Sequence, residues 1–139
     1  MIRPTLLSLG FLAAAAPAFA MDFDETAQGQ IEFTMPSGNV GCIYTPEGGT
    51  DVYEPAGGGP ELSCDRVEPS YVRVTIGPAG KARRFNNVGD ASCCGGDNVF
   101  EYGEVWKYDG FRCVSSESGL VCKRGGHGFS MSRKLIKTW

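Results

Sequence analysis

The sequence predicts an all-β fold, a small antiparallel sandwich or barrel of short strands cross-linked by disulfides. Three observations carry that expectation. Apolar residues recur at every second position in several segments, glycine is abundant at 20 of 139 residues, and six cysteines are spread along the chain. Alternation with period two marks half-buried strands. Short strands separated by close turns suit a sandwich or barrel. Six cysteines read as a disulfide framework if the chain is exported.

Export is what the first segment predicts. "MIRPTLLSLGFLAAAAPAFA" has one cation, Arg3, an apolar run from Leu6 to Phe19, and the small-x-small tripeptide Ala18-Phe19-Ala20. The run falls short of the roughly 20 residues that span a bilayer, so residues 1–20 read as a signal peptide. Residue 21 is Met21 and not a cysteine, which disfavours lipid attachment there. Residues 21–139 are then a single periplasmic or secreted domain with no membrane span after cleavage.

The strands follow in order. "QIEFTM" alternates through Ile31, Phe33 and Met35, and after a "PSGN" turn Val40, Cys42 and Tyr44 alternate again. "TPEGGTDVYEPAGGGPEL", residues 45–62, reads as a long irregular Gly/Pro/acidic loop with little to bury. "SYVRVTI" sets Val72, Val74 and Ile76 against Tyr71, Arg73 and Thr75. "EVWKYDGFRCVSSESGLVCKR" reads as two hairpins, turning at Asp109-Gly110 and at "SESG". "PSGNVGC" and "ESGLVC" echo each other, too briefly to indicate a duplication.

Charge is segregated. Met21 to Asp65 carries nine acids and no Lys or Arg, while Lys107 to Trp139 carries seven Lys/Arg and two acids. Pairing of the first and last strands would make these opposite charges cross-strand neighbours. Alternatively, the chain has acidic and basic surfaces that steer a charged partner. A net-acidic chain is a poor nucleic-acid binder, so that class is excluded.

Cys113 and Cys122 flank a turn at equal distance and can face each other across two strands. Cys42 and Cys64 bracket the acidic loop and form the second expected pair. Cys93 and Cys94 in "ASCCGGDN" either close an eight-membered ring or pair elsewhere, since ordinary disulfides want Cα atoms about 5.5 Å apart. With no C-x2-C pair and one histidine, no zinc site is expected. The acidic loop lacks EF-hand spacing. No cofactor is implied.

His127, the only histidine, sits in "CKRGGHGFSMSR". Ser130, Ser132, Asp97 and Asp109 could supply a nucleophile or an orienting acid, but no G-x-S-x-G elbow is present. Gly125, Gly126 and Gly128 better suit backbone at positive φ or in close approach to another strand. His127 would then satisfy a backbone group beside the kink. Candidate binding residues are His127, Trp106, Tyr53 and Glu54; no catalytic residue is assigned.

"FTMPSGNVGC", "LSCDR", "YGEVW", "GFRCVSS", "GLVC" and "GHGFSMSR", in that order, resemble a family of small exported bacterial disulfide-bonded proteins known only as a domain of unknown function. The resemblance covers most of residues 31–133 and implies an extracytoplasmic, cross-linked domain without an assigned activity. The family's middle cysteines are separated, whereas Cys93 and Cys94 are adjacent, so the third disulfide departs from its pattern. The expected function is a non-enzymatic binding or envelope-associated module whose partner is a protein or cell-envelope component. Two alternatives are an inhibitor of an exogenous protease or lysozyme, using residues 47–61 as its contact, and a small hydrolase using His127.

Overall fold

Two antiparallel sheets pack face to face around one core in the computed structural model, which describes residues 20–139 together with Gly10 and Leu12. The signal-peptide expectation falls almost wholly outside the described residues. No helix among them is long and apolar enough to cross a membrane.

The chain builds its sheets one after the other. β2 (Ile31–Thr34), β3 (Val40–Thr45), β4 (Glu61–Arg66), β5 (Val72–Ile76) and β6 (Arg83–Phe85) form a five-stranded meander, here sheet B. β7 (Val105–Tyr108), β8 (Phe111–Ser116), β9 (Gly119–Arg124), β10 (His127–Met131) and β11 (Ile136–Thr138) form a second meander, sheet A. A short β1 (Ala20–Met21) adds to the edge of sheet A, parallel to β7. The all-β expectation is met, and the alternating segments become β2, β3 and β5 with their apolar residues inward.

Turn chemistry explains the hairpins. Asp109 and Gly110 both have positive φ, 47° and 83°, as a two-residue turn between right-twisted strands requires. β9 and β10 are joined by Gly125-Gly126, with Gly125 at φ 59°. The expected pairs Cys42–Cys64 and Cys113–Cys122 are disulfides between directly opposed residues, of β3 and β4 and of β8 and β9. All four cysteines are buried, one bridge from each sheet contributing to the shared core.

That core is aromatic at one end. Phe33, Phe100, Trp106 and Phe111 are fully buried, and Phe23 stacks on Phe33 at 5.0 Å between ring centroids. Polar contacts also join the sheets. Tyr44 of β3 donates to Asp109 in the β7–β8 turn at 2.5 Å. The buried Arg66 of β4 donates to the carbonyls of Ser70, Ser132 and Arg133, and burial lowers its pKa.

Two expectations are corrected. The first and last strands do not pair: β1 lies beside β7 and β11 beside β10, at opposite edges of sheet A. Beyond β1, the strands of the acidic segment lie in sheet B and those of the basic segment in sheet A, because each meander pairs within itself. The loop after β3 is irregular but tied down. Gln28 and Asp51 exchange two hydrogen bonds, the Gly48 N–H donates to Gly58 O, and the Tyr53 hydroxyl donates to Glu61 at 2.7 Å. Pro55 and Pro60 are buried beneath it.

Candidate functional site

Alternation sends Glu32 and Thr34 of β2, Gly41 and Ile43 of β3, Ser63 and Asp65 of β4, and Arg73 of β5 to the outer face of sheet B. Register aligns them in two rows, Glu32–Ile43–Ser63 and Thr34–Gly41–Asp65–Arg73. The connection from β6 to β7, residues 86–104, does not pass directly to sheet A. It crosses this outer face as a strap, from β5 to the free edge of β2.

Each step of the crossing has an anchor. Asp90 accepts from Arg73 Nη1 at 3.0 Å. The Cys93 N–H donates to the Tyr71 hydroxyl at 3.1 Å, and that hydroxyl donates to Asp65. Cys93 and Cys94 lie over Gly41, where a Cβ would stand 2.9 Å from Cys94 Sγ and 3.0 Å from Cys93 Sγ. At the β2 edge the Thr34 N–H donates to Asn98 O and the Phe100 N–H to Thr34 O, while Asn98 Nδ2 donates to Glu32 O at 2.8 Å. A glycine inside a strand often marks such a close approach. The two cysteines, whose pairing the sequence left open, are bonded to each other.

Beneath the strap lies a cavity of about 270 Å³ lined by these outer-face residues together with Asp90, Ser92, Cys93 and Cys94. Three carboxylates, Glu32, Asp65 and Asp90, face one guanidinium, Arg73, so the lining is net negative. Arg73 grips Asp65 through Nε at 2.7 Å and Nη2 at 2.8 Å, a bidentate contact that raises its pKa. Burial and the bond to Asp65 raise the pKa of Tyr71. The Thr34 hydroxyl is different: Thr34 is 8% exposed, and its Oγ1 has no hydrogen-bond partner. Leaving such a group unpaired costs about 1–3 kcal/mol. No group of three His, Cys, Asp or Glu side chains among the described residues converges to hold a metal ion.

The sequence-predicted binding residues do not meet here. Trp106 is 1% exposed and packs against Phe33 and Tyr108, so its indole is not a surface group. Its alternation partner is the interior, which "YGEVW" alone did not reveal. Tyr53 and Glu54 stand on the loop after β3; Tyr53 borders a second, shallower cavity with Arg73, Arg83 and Phe85. Desolvation and its bond to Glu61 push the Tyr53 pKa up to about 12. His127 opens β10 opposite Arg124 in the other sheet and lines neither cavity. Its imidazole makes no hydrogen bond among the described residues, so the expected contact to a backbone group is not formed.

Sequence reasoning missed Thr34, Gly41, Ser63, Asp65, Arg73 and Asp90. Two signals were present: a glycine inside the alternating run "NVGCIY", and a charged residue centred in "YVRVT". No family model matches this chain, and no curated protein or solved structure matches it either.

Proposed function

We propose that this protein is an exported, non-enzymatic binding module whose ligand enters the strap-roofed cleft on sheet B. One observation carries the reading: Thr34, whose buried hydroxyl has no partner, lines a cavity roofed by the cross-linked segment that packs over Gly41. A bound hydroxyl or amine would complete its hydrogen bonding. The net-negative lining, with the hydroxyls of Thr34, Ser63 and Ser92, favours a small neutral or cationic ligand rich in donors. The cavity volume suits a single ring-sized molecule.

The chemistry of the lining supports binding rather than turnover. Both cysteines are oxidised, so no thiolate is offered. Asp65 is held by Arg73 and Tyr71, and no imidazole borders the cleft. For a hydrolase based on His127, none of Ser130, Ser132, Asp97 or Asp109 hydrogen-bonds to it among the described residues. The resemblance to small exported bacterial proteins bears on export alone and rests on the sequence blocks.

The test is an amide NMR titration with three probes of similar shape and different charge: glucosamine, glucose and glucuronate. Shifts should centre on residues 34, 41, 63 and 92–94, with glucosamine tightest and glucuronate weakest. Gly41→Ala, which displaces the cysteine pair, should abolish them. Tightest binding of glucuronate, or shifts elsewhere, would contradict the assignment.

A second reading, an inhibitor of an exogenous protease or lysozyme, is favoured by the loop after β3. Its hydrogen bonds hold Val52 at the tip, 94% exposed. Pre-ordering a loop reduces the entropy lost on docking. Stoichiometric inhibition of a protease or lysozyme, lost in Val52→Asp, would establish it.

A further inference from the structure

The outer face of sheet A, on the opposite side of the sandwich, carries a different arrangement. The register places Lys107 of β7, Arg112 of β8 and Lys123 of β9 directly beside one another. The same row continues through Gly128 of β10 to Trp139, which exchanges two backbone hydrogen bonds with Gly128, at 3.0 and 2.9 Å. All three cations are exposed, and none has a carboxylate within ion-pair distance among the described residues. Like charges directly opposed across strands oppose pairing, so nothing in the fold itself favours this row.

Gly128 shows how the row is completed. A Cβ there would stand 2.9 Å from Trp139 Cζ2 and 3.1 Å from Lys123 Cγ, so the indole lies across the glycine toward Lys123. Trp139 remains 38% exposed. The neighbouring row is Val105–Val114–Val121–Ser130–Lys137, apolar at its centre and cationic at its end. Leu135, exposed, borders Val121 and Ser130. The face is therefore cationic and interleaved with apolar groups, and it ends in an indole.

We infer that this face docks on an anionic phospholipid surface. Headgroup phosphates neutralise Lys107, Arg112 and Lys123, and the indole of Trp139 enters the interfacial layer, where amphipathic rings settle. A soluble polyanion would use the cations but would leave the valine row, Leu135 and the indole without a role. The inference is independent of the cleft on sheet B, which lies on the far face.

The experiment is sedimentation of the disulfide-bonded protein with vesicles of phosphatidylcholine alone or mixed with phosphatidylglycerol. Iodide quenching of tryptophan fluorescence is measured alongside. The protein should sediment only with the anionic vesicles, and less at high salt. Trp139 should become protected from iodide, while Trp106, buried, is unaffected throughout. Replacing Lys107, Arg112 and Lys123 together by Gln should weaken binding roughly hundredfold, and Arg83→Gln with Arg84→Gln should leave it unchanged. The triple variant removes like-charge neighbours, and circular dichroism checks that it folds. Equal binding of the triple variant, equal binding to neutral vesicles, or no sedimentation would overturn the inference. So would heparin binding as tight as vesicle binding with no protection of Trp139.

Discussion

Gly128 and His127 are neighbours in "GGHGF" with opposite structural weight. A Cβ on Gly128 would meet the Cys122 carbonyl at 2.6 Å, and that backbone atom cannot rotate away. Gly128→Ala should therefore lower stability by about 2–3 kcal/mol through strain in the β9–β10 pair. His127→Ala removes a half-buried imidazole without a hydrogen bond and should change stability by less than about 0.5 kcal/mol. Paired denaturant curves measure both; a larger loss in His127→Ala would show a contact the structure does not contain. The sequence pointed to a turn here, and Gly125-Gly126 is that turn. The close approach of Gly128 to another strand was legible as well, and the Cys122 carbonyl of β9 is that neighbour; the contact with Trp139, eleven residues further on, was not, because it forms only through β11.

At the scale of elements, the two cross-strand disulfides were readable because each lies on a hairpin or brackets one loop. Their residues are spaced so that alternation points both inward. Replacing either pair with alanines should cost about 2–4 kcal/mol, with Cys42–Cys64 costing more on the chain-entropy model because it closes the longer loop. Thermal unfolding of the two double variants tests the order; a larger effect for Cys113–Cys122 would place the effect in native packing. The strap over sheet B was not readable. Residues 86–104 show no alternation, and their anchors on Thr34, Gly41 and Tyr71 come from strands far away in sequence. The site is built from the polar half of each alternating strand, the half that a search for core residues passes over.

Across the whole molecule, each meander keeps its own segment, so the basic C-terminal strands gather in sheet A, while sheet B mixes the acidic strands with Arg66, Arg73, Arg83 and Arg84. Three tyrosines add a pH dependence. Tyr44, Tyr53 and Tyr71 have pKa values raised first by burial and then by hydrogen bonds to carboxylates. A raised folded-state pKa means the native state holds the proton more tightly than the unfolded state. Stability from these groups is thus fully present below about pH 10, the ordinary tyrosine value, and falls as pH rises above it. For Tyr53 the loss is complete above about pH 12. Urea midpoints measured alongside tyrosinate absorbance should fall together across this range. Midpoints that stay flat while the tyrosines ionise would mean that these hydroxyls do not couple to folding.

Thr34 tests the central claim most directly, because stability and binding should move in opposite directions. Thr34→Val keeps the side-chain shape and removes a buried hydroxyl that has no partner in the protein. The variant should be more stable by about 1 kcal/mol, and its affinity for glucosamine should fall about fivefold for one lost hydrogen bond of that size. Unfolding curves and an NMR titration on wild type and variant measure both quantities. Raised stability with weakened binding is the result expected of a hydroxyl that waits for a ligand in the cleft. Unchanged affinity, or lower stability, would contradict the assignment of the strap-roofed cleft as the binding site.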